Sequence, residues 1–231
     1  MRRLRVAKTV RRPARRPYHH GNLAPALVAA ALALLDETQD WAFSLREVAR
    51  RAGVSHNAPY KHFVEKRDLL AAVAARGFEA LAERMLSAVT GVAGARAQLL
   101  ACGRAFVAHG IANPALYRLM FSATLTTPEA GRPAIEKVAA AKARAIFDTT
   151  LADAARSGAF PSSMASPRES AAASLATWSL LHGLTMLAID DFVGPPDDVE
   201  ALVDPILGAL LDGMASRPPA VPAHIWIAPR L

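Results

Sequence analysis

The sequence predicts an all-α fold: a small N-terminal group of short helices joined by a long helix to a larger helical domain. Three observations predict it. Apolar residues recur at three- and four-residue spacing in successive segments, explicit N-terminal caps precede several of those segments, and no alternating strand run, internal repeat or heptad array interrupts them. With 231 residues, 52% hydrophobic and 20% charged, the chain has the mass for one substantial core or a small domain fused to a larger one. That composition excludes a disordered protein.

In chain order, residues 1–17 come first and hold eight basic residues (Arg2, Arg3, Arg5, Lys8, Arg11, Arg12, Arg15, Arg16) and no acid. The whole chain has 27 basic and 20 acidic residues, so the remainder carries 19 against 20 and the net charge of +7 belongs to this arm. Self-repulsion, Pro13, Pro17 and the lack of apolar periodicity predict an arm that is disordered when free. It has two readings of equal weight, an arm lying along phosphates or in a minor groove, and a solvated tail or over-extended start; a transit peptide fits less well because amphipathic pattern is weak.

The stretch Ser44 to Phe63, SLREVARRAGVSHNAPYKHF, reads as two short helices around a sharp turn. Ser44 and Glu47 form a capping box, so the first helix begins at Leu45. Leu45, Val48, Ala49 and Ala52 share one face while Arg46, Arg50 and Arg51 point elsewhere. Gly53 supplies the left-handed residue that ends the helix, Val54 plugs the turn and Ser55 caps the next helix. That second helix is expected to carry His56, Asn57, Tyr60, Lys61 and His62 outward, with Ala58 and Phe63 inward and Pro59 near its first turn. Such a pair is a helix-turn-helix, whose second helix enters the major groove of DNA while the first crosses the backbone. The plainer alternative is an ordinary helical corner.

At these residues the chain resembles the TetR family of bacterial transcriptional regulators. The resemblance covers Tyr18 to Gly77: the YHHGNL entry, a first helix Leu23 to Thr38, the AGVS turn, the Tyr60-x-x-Phe63 ending, and Lys66 with Leu69 and Leu70 opening a long fourth helix of about Lys66 to Val89. It implies DNA contacts at Ser55, His56, Asn57, Ala58, Tyr60, Lys61, His62 and Lys66, with Ser44 and Arg46 on the backbone. The chain departs from many relatives at Asn57, Ala58 and Pro59, so the bases read do not carry over. Glu65 stands where a Ser or Asn cap is usual.

Beyond the fourth helix, turn signals recur at Gly91 to Gly94, Asn113 and Pro114, Thr126 to Pro128, Gly158 to Ser166, and Gly194 to Pro196, with alanine- and leucine-rich helical segments between them. Ser166, Pro167 and Glu169 make a capping box with proline at the first helical position, predicting a helix of about Pro167 to Asp191; Asp197 and Glu200 open another of about Asp197 to Ala215. The alanine-rich part of the first, Ser170 to Ile189, contains Ser174, Thr177, Ser179, His182 and Gly183, which favours a packed internal helix over a membrane span. Trp178, Leu180, Leu181, Leu184 and Leu187 surround much of its circumference, and Leu202, Ile206, Leu207, Leu210 and Leu211 do so on the last helix. Two such helices from each subunit pair as a four-helix bundle, so a homodimer is expected. The family resemblance implies the same interface, and Trp178 with His182-Gly183 resembles the WHG-type class of its ligand domains.

The expected organisation is therefore a basic arm (1–17), a three-helix helix-turn-helix domain (18–78), a helical ligand-binding and dimerisation domain (79–216) and a Pro-rich tail (217–231). Phe106, His109, Tyr117, Phe121, Phe147, Trp178, His182 and Met186 are candidates for a pocket with aromatic walls, each weighed against a plain core role. Cys102, the one cysteine, lies in an apolar run and reads as a buried small hydrophobe in a reducing cytoplasm. No cofactor or metal is expected: Tyr18-His19-His20-Gly21 lacks a third ligand, and Asp190-Asp191 and Asp197-Asp198 are explained by helix ends. Ile225-Trp226-Ile227 in the tail is expected to dock somewhere on the domain.

The function expected is a homodimeric regulator, a repressor released from a palindromic operator by an unknown small-molecule effector, with recognition helices about 35 Å apart. An architectural DNA-binding protein without an effector is the alternative. An enzyme is third, because no phosphate loop, nucleophile elbow, metal quartet or dinucleotide fingerprint is visible.

Overall fold

The computed structural model describes residues 23–126, 131–158 and 166–216; the basic arm, Tyr18 to Gly21 and the Pro-rich tail lie outside them. Eight α-helices occur among the described residues: α1 Leu23–Thr38, α2 Leu45–Arg51, α3 Lys66–Val89, α4 Ala95–Ala112, α5 Pro114–Met120, α6 Ala134–Arg156, α7 Pro167–Ile189 and α8 Pro196–Ser216.

In α2 the capping box forms: the Glu47 N–H donates to Ser44 Oγ at 3.2 Å and the Ser44 N–H to Glu47 Oε2 at 2.6 Å. The helix then ends in a Schellman motif. Gly53 has φ +70°, its N–H donates to the Arg50 carbonyl, and the Val54 N–H donates to Ala49 at 3.0 Å.

The second motif helix is where sequence and structure part. No α-helix forms between Ser55 and Phe63; the chain makes turns and then a single 3-10 turn, Pro59–Lys61, with Ala58 as its N-terminal cap. If Ser55 were the cap, Pro59 would stand at the fourth helical position, whose N–H must donate to the Ser55 carbonyl to close the first helical turn. Proline has no such donor and its ring crowds that carbonyl. The proline that looked harmless in a first turn thus resets the start of the helix, taking the first position of a shorter one.

From there α3 begins at Lys66, with the Glu65 N–H donating to Asp68 Oδ2 at 3.1 Å in place of the Ser or Asn cap. This helix packs against α6, α4, α5 and α1, and buries Leu69, Leu70, Val73, Phe78, Leu81 and Met85. One continuous apolar cluster consequently runs from Leu27 in α1 through α3 to Leu211 in α8.

Behind it, α4 meets α6, α7 and α8. The approach of α7 and α5 to α4 is close: a Cβ on Gly110 would collide with Thr185 Cγ2 and stand 2.9 Å from Tyr117 Cδ2. Cys102 is buried on α4, and burial pushes its thiol up to about 12, fitting the small-hydrophobe reading.

Helix α7 starts from the predicted capping box, with the Glu169 N–H donating to Ser166 Oγ at 3.2 Å. It stops two residues earlier than expected because Asp191 takes a left-handed conformation, φ 61°, and the Phe192 N–H reaches back to Leu187 at 2.8 Å. Helix α8 starts one residue early, at Pro196, whose fixed φ suits a first helical position. Among the described residues α7 alone is long and apolar enough to cross a membrane by length and composition. It is packed: Thr177 and Thr185 are buried and donate to the carbonyls of Ala173 and Leu181, both at 2.7 Å, and Leu181 and Leu184 join the core.

Candidate DNA interface and ligand cavity

Two regions gather the residues singled out by the sequence. The first surrounds α2 and the 3-10 turn. Pro59 and Phe63 point inward and seat the turn on the core, which presents the intervening residues to solvent. Of the ten proposed DNA contacts, Ser44, Arg46, Ser55, His56, Asn57, Tyr60, Lys61 and His62 are exposed, Tyr60 by 51% despite its ring. Ala58 is not: it is buried against the core, so its expected contact role does not fit this conformation, whereas its expected inward packing does. Lys66 is half-buried, its ammonium 5.5 Å from the Phe43 ring centroid. Burial lowers its pKa, while the nearby carboxylates of Asp40 and Glu47 act in the opposite direction. Arg46, Arg50 and Arg51 are all exposed, and Arg51 is engaged in a bidentate pair with Glu37 that ties α2 to α1.

The second region is a narrow cleft with free space of about 20 Å³, lined by Phe78, Leu81 and Met85 of α3, Phe106 of α4, Phe121 after α5, Ala140, Ala143, Arg144 and Phe147 of α6, and Trp178 of α7. Helical spacing explains the α3 wall, since positions 78, 81 and 85 fall on one face. Phe106, Phe121, Phe147 and Trp178 of the predicted pocket do line the cleft. Tyr117 and His182 stand behind it: the Tyr117 hydroxyl and His182 Nδ1 are 2.8 Å apart, and His182 stacks on Trp178 with ring centroids at 5.2 Å and planes 7° apart. Burial lowers the pKa of His182 and raises that of Tyr117, so both are neutral at physiological pH.

His109 and Met186 do not line the cleft. His109 is buried on α4 with no partner for Nε2, and burial, aided by the charge of Arg84, lowers its pKa to about 4. Phe78, Leu81, Met85, Ala140, Ala143 and Arg144 were missed by the sequence reading. The available signals were the 78-81-85 period and the i,i+4 pair Arg144 and Asp148, two charges beside Ala140, Ala141 and Phe147.

Between the two regions lies a polar junction. Arg67, beside Lys66 at the start of α3, donates to the carbonyls of Leu125 at 3.2 Å and Gly131 at 2.6 Å. Arg132 donates to the carbonyls of Met120 and Ser122, both at 3.0 Å, and pairs with the fully buried Glu136. Burial raises the pKa of Glu136, opposed chiefly by Arg132, and its Oε2 has no hydrogen-bond partner. Among the described residues no group of His, Cys, Asp and Glu is placed to hold a metal ion.

A family model described as bacterial regulatory proteins, tetR family, matches residues 27–73, and one described as tetracyclin repressor-like, C-terminal domain, matches residues 99–210. A protein of unknown function from Rhodococcus sp. RHA1 is 30% identical, with a TM-score of 0.70 over 86% of this chain and 100% of that one. Two further structures share the fold: a tetR-family regulatory protein from Rhodococcus RHA1 (21% identity, TM-score 0.59, 82% of this chain and 97% of that one) and the transcriptional regulator FadR from Bacillus subtilis in complex with stearoyl-CoA (16%, 0.61, 82% and 98%). No curated protein matches the chain.

Proposed function

The chain belongs to the TetR family of bacterial transcriptional regulators, a DNA-binding class, and we propose that it is a homodimeric repressor whose hold on a palindromic operator is released when a small molecule occupies the cleft among α3, α6 and α7. The observation that carries this reading is α3 itself. Its first residues, Lys66 and Arg67, adjoin the exposed turn, and its Phe78, Leu81 and Met85 form one wall of the cleft. An occupant that shifts this wall shifts the helix on which the DNA-side residues are mounted, a differential contact of the kind allostery requires.

In this reading residues 18–78 are the DNA-binding half and 79–216 the ligand-binding and dimerisation half, and the regulator acts in the cytoplasm. Ser44 and Arg46 hold the backbone, Ser55, His56, Asn57, Tyr60, Lys61 and His62 meet the groove and its phosphates, and Lys66 adds charge at the start of α3. The arm of residues 1–17 supplies the non-specific attraction that the near-neutral remainder lacks.

Self-association uses the outer faces of α7 and α8. Helix α8 buries Val199, Val203, Leu207 and Leu211, while Leu202 stays exposed on another face, as do Leu175 and Leu187 of α7. Gly183 of α7 and Gly213 of α8 have open space where a Cβ would stand, which leaves room for a close neighbour.

Selection of bound sites from random and genomic DNA at fixed salt tests the reading. A two-fold symmetric site is expected, with affinity lost in Tyr60→Ala and Lys61→Ala. Sites without symmetry sink the dimeric part, and uniform binding across sequences points to an architectural protein. Because the Bacillus subtilis FadR was solved with stearoyl-CoA, acyl thioesters belong in the first effector screen alongside smaller apolar compounds. Release of the selected site on adding an effector is the expected result; enhanced binding in its place identifies an activator or co-repressed regulator.

A further inference from the structure

The cleft has one charged group in its wall, and that group is unusual in its setting. Arg144 is only 15% exposed, whereas its ion-pair partner Asp148 is 42% exposed. The guanidinium lies over the Trp178 ring, 5.7 Å from its centroid. Its Nε donates to Asp148 Oδ1 at 2.9 Å and Oδ2 at 3.1 Å, and its Nη2 donates to Ser174 Oγ at 2.5 Å. Ser174 in turn donates to Asp148 Oδ1 at 2.5 Å, so one bridging hydroxyl joins α7 to the pair on α6. Among the described residues Nη1 has no hydrogen-bond partner.

The rest of the wall is Phe, Leu, Met, Trp and Ala. A neutral polar ligand would forfeit its water hydrogen bonds there without recovering them, and a cation would meet the like charge of Arg144. An anion is the exception, because a guanidinium fork matches a carboxylate with two parallel N–H donors. The resident carboxylate is easily replaced: Asp148 is an i,i+4 neighbour with open solvent on one side, into which it rotates once its place is taken. Free space in the cleft is only about 20 Å³, room for a single water, so a ligand enters by displacing side chains of the wall, which restricts it to one ring or a short branched chain.

We propose that the cleft takes a small apolar carboxylic acid, its ring or short chain against Phe78, Phe106, Phe147 and Trp178, and its carboxylate on Arg144 in place of Asp148. This rests on the cleft being the effector site. The hydroxyl of Ser174 is released from Asp148 in the same exchange, so arrival of the acid rewires the contact between α6 and α7 and presses on Trp178, which is stacked on His182.

Calorimetric titration of the full chain with 3-phenylpropionate, isovalerate, 3-phenylpropanol and 3-phenylpropylamine tests it. At least one acid is expected to bind, with the alcohol weaker by about tenfold or more and the amine undetectable. Arg144→Met keeps the stem over Trp178 and is expected to abolish the preference for acid over alcohol. Asp148→Asn removes the competing charge and is expected to tighten the acid several-fold while leaving the alcohol unchanged, a gain that damage to folding does not imitate. If the alcohol binds as well as the acid and neither substitution alters the ratio, the assignment to acids is overturned and the cleft remains a ligand site. If none of the four compounds binds at millimolar concentration, the assignment to small apolar acids falls, while the effector reading of the cleft stands or falls separately on operator release in the wider screen.

Discussion

His109 lies buried on α4 with one ring nitrogen unpaired, and this has a cost that depends on pH. Its folded pKa is about 4 against an ordinary 6.5, so unfolding below pH 6.5 lets the ring take up a proton that the folded chain refuses. Stability is therefore unaffected above that value and declines as the pH falls toward 4, by roughly 3 kcal/mol at most. His182, also lowered, acts in the same direction. Glu136 acts oppositely, because its raised pKa makes the folded chain the better proton acceptor and acid relieves its burial. Urea unfolding at pH 7 and 4.5 separates these: His109→Gln is expected to flatten the acid-side loss, and an unchanged slope assigns it to other groups. Gly110 gives a second residue-level expectation. Alanine there gains about 1 kcal/mol of helix propensity but drives a methyl into Thr185 and Tyr117, an overpacking cost of roughly 1–3 kcal/mol. Net destabilisation, read as a lower urea midpoint, is expected.

At the scale of elements, caps and breakers decide most boundaries. Ser166→Ala removes the acceptor for the Glu169 N–H and is expected to cost about 1 kcal/mol, measured as a fall in the thermal midpoint. Pro59→Ala restores a donor opposite the Ser55 carbonyl; helical carbon shifts across residues 56–62 are expected in place of the single 3-10 turn. The same elements explain what could be read beforehand. Ser44 and Ser166 were legible because a capping box is a local, two-residue contact, and Gly53 because its φ is a local demand. Pro59 was misread because its effect turns on its offset from Ser55, not on its presence near a turn. The pocket was half legible: aromatic residues advertise themselves, so Phe106, Phe121, Phe147 and Trp178 were found. Phe78, Leu81 and Met85 sit on a helix whose other contacts are ordinary core, and only tertiary packing of α6 against α3 turns that face into a wall. Arg144 was hidden for a different reason, since an i,i+4 ion pair looks the same on a solvated surface and at the rim of a cleft.

For the whole molecule, the proposed function requires the cleft to act at a distance on the exposed turn. Arg67 binds the start of α3 to the carbonyls of Leu125 and Gly131, in the segment between α5 and α6, so it links the helix that carries Lys66 to the half that holds the cleft. Arg67→Ala is expected to leave operator affinity within a few-fold while shrinking the effect of a ligand on that affinity. Coupling of this type is typically about 1–3 kcal/mol, and gel shifts with and without ligand measure its loss. If affinity itself collapses and the ligand effect persists, Arg67 is part of the DNA-binding surface instead.

A 24-residue α3 is about 36 Å long, and its two ends answer to different demands. This bears on anyone wishing to retune the protein as a biosensor. The wall of the cleft is divided between α3, whose shifts the proposed function requires to reach the turn, and α4, α6, α7 and Phe121, which are not mounted with Lys66. If the proposed effector control holds, libraries at Ala140, Ala143, Phe147 and Trp178 are expected to vary what is sensed and leave the transmission shaft intact, and libraries at Phe78, Leu81 and Met85 to vary sensing and output together, with hits dominated by variants that no longer switch.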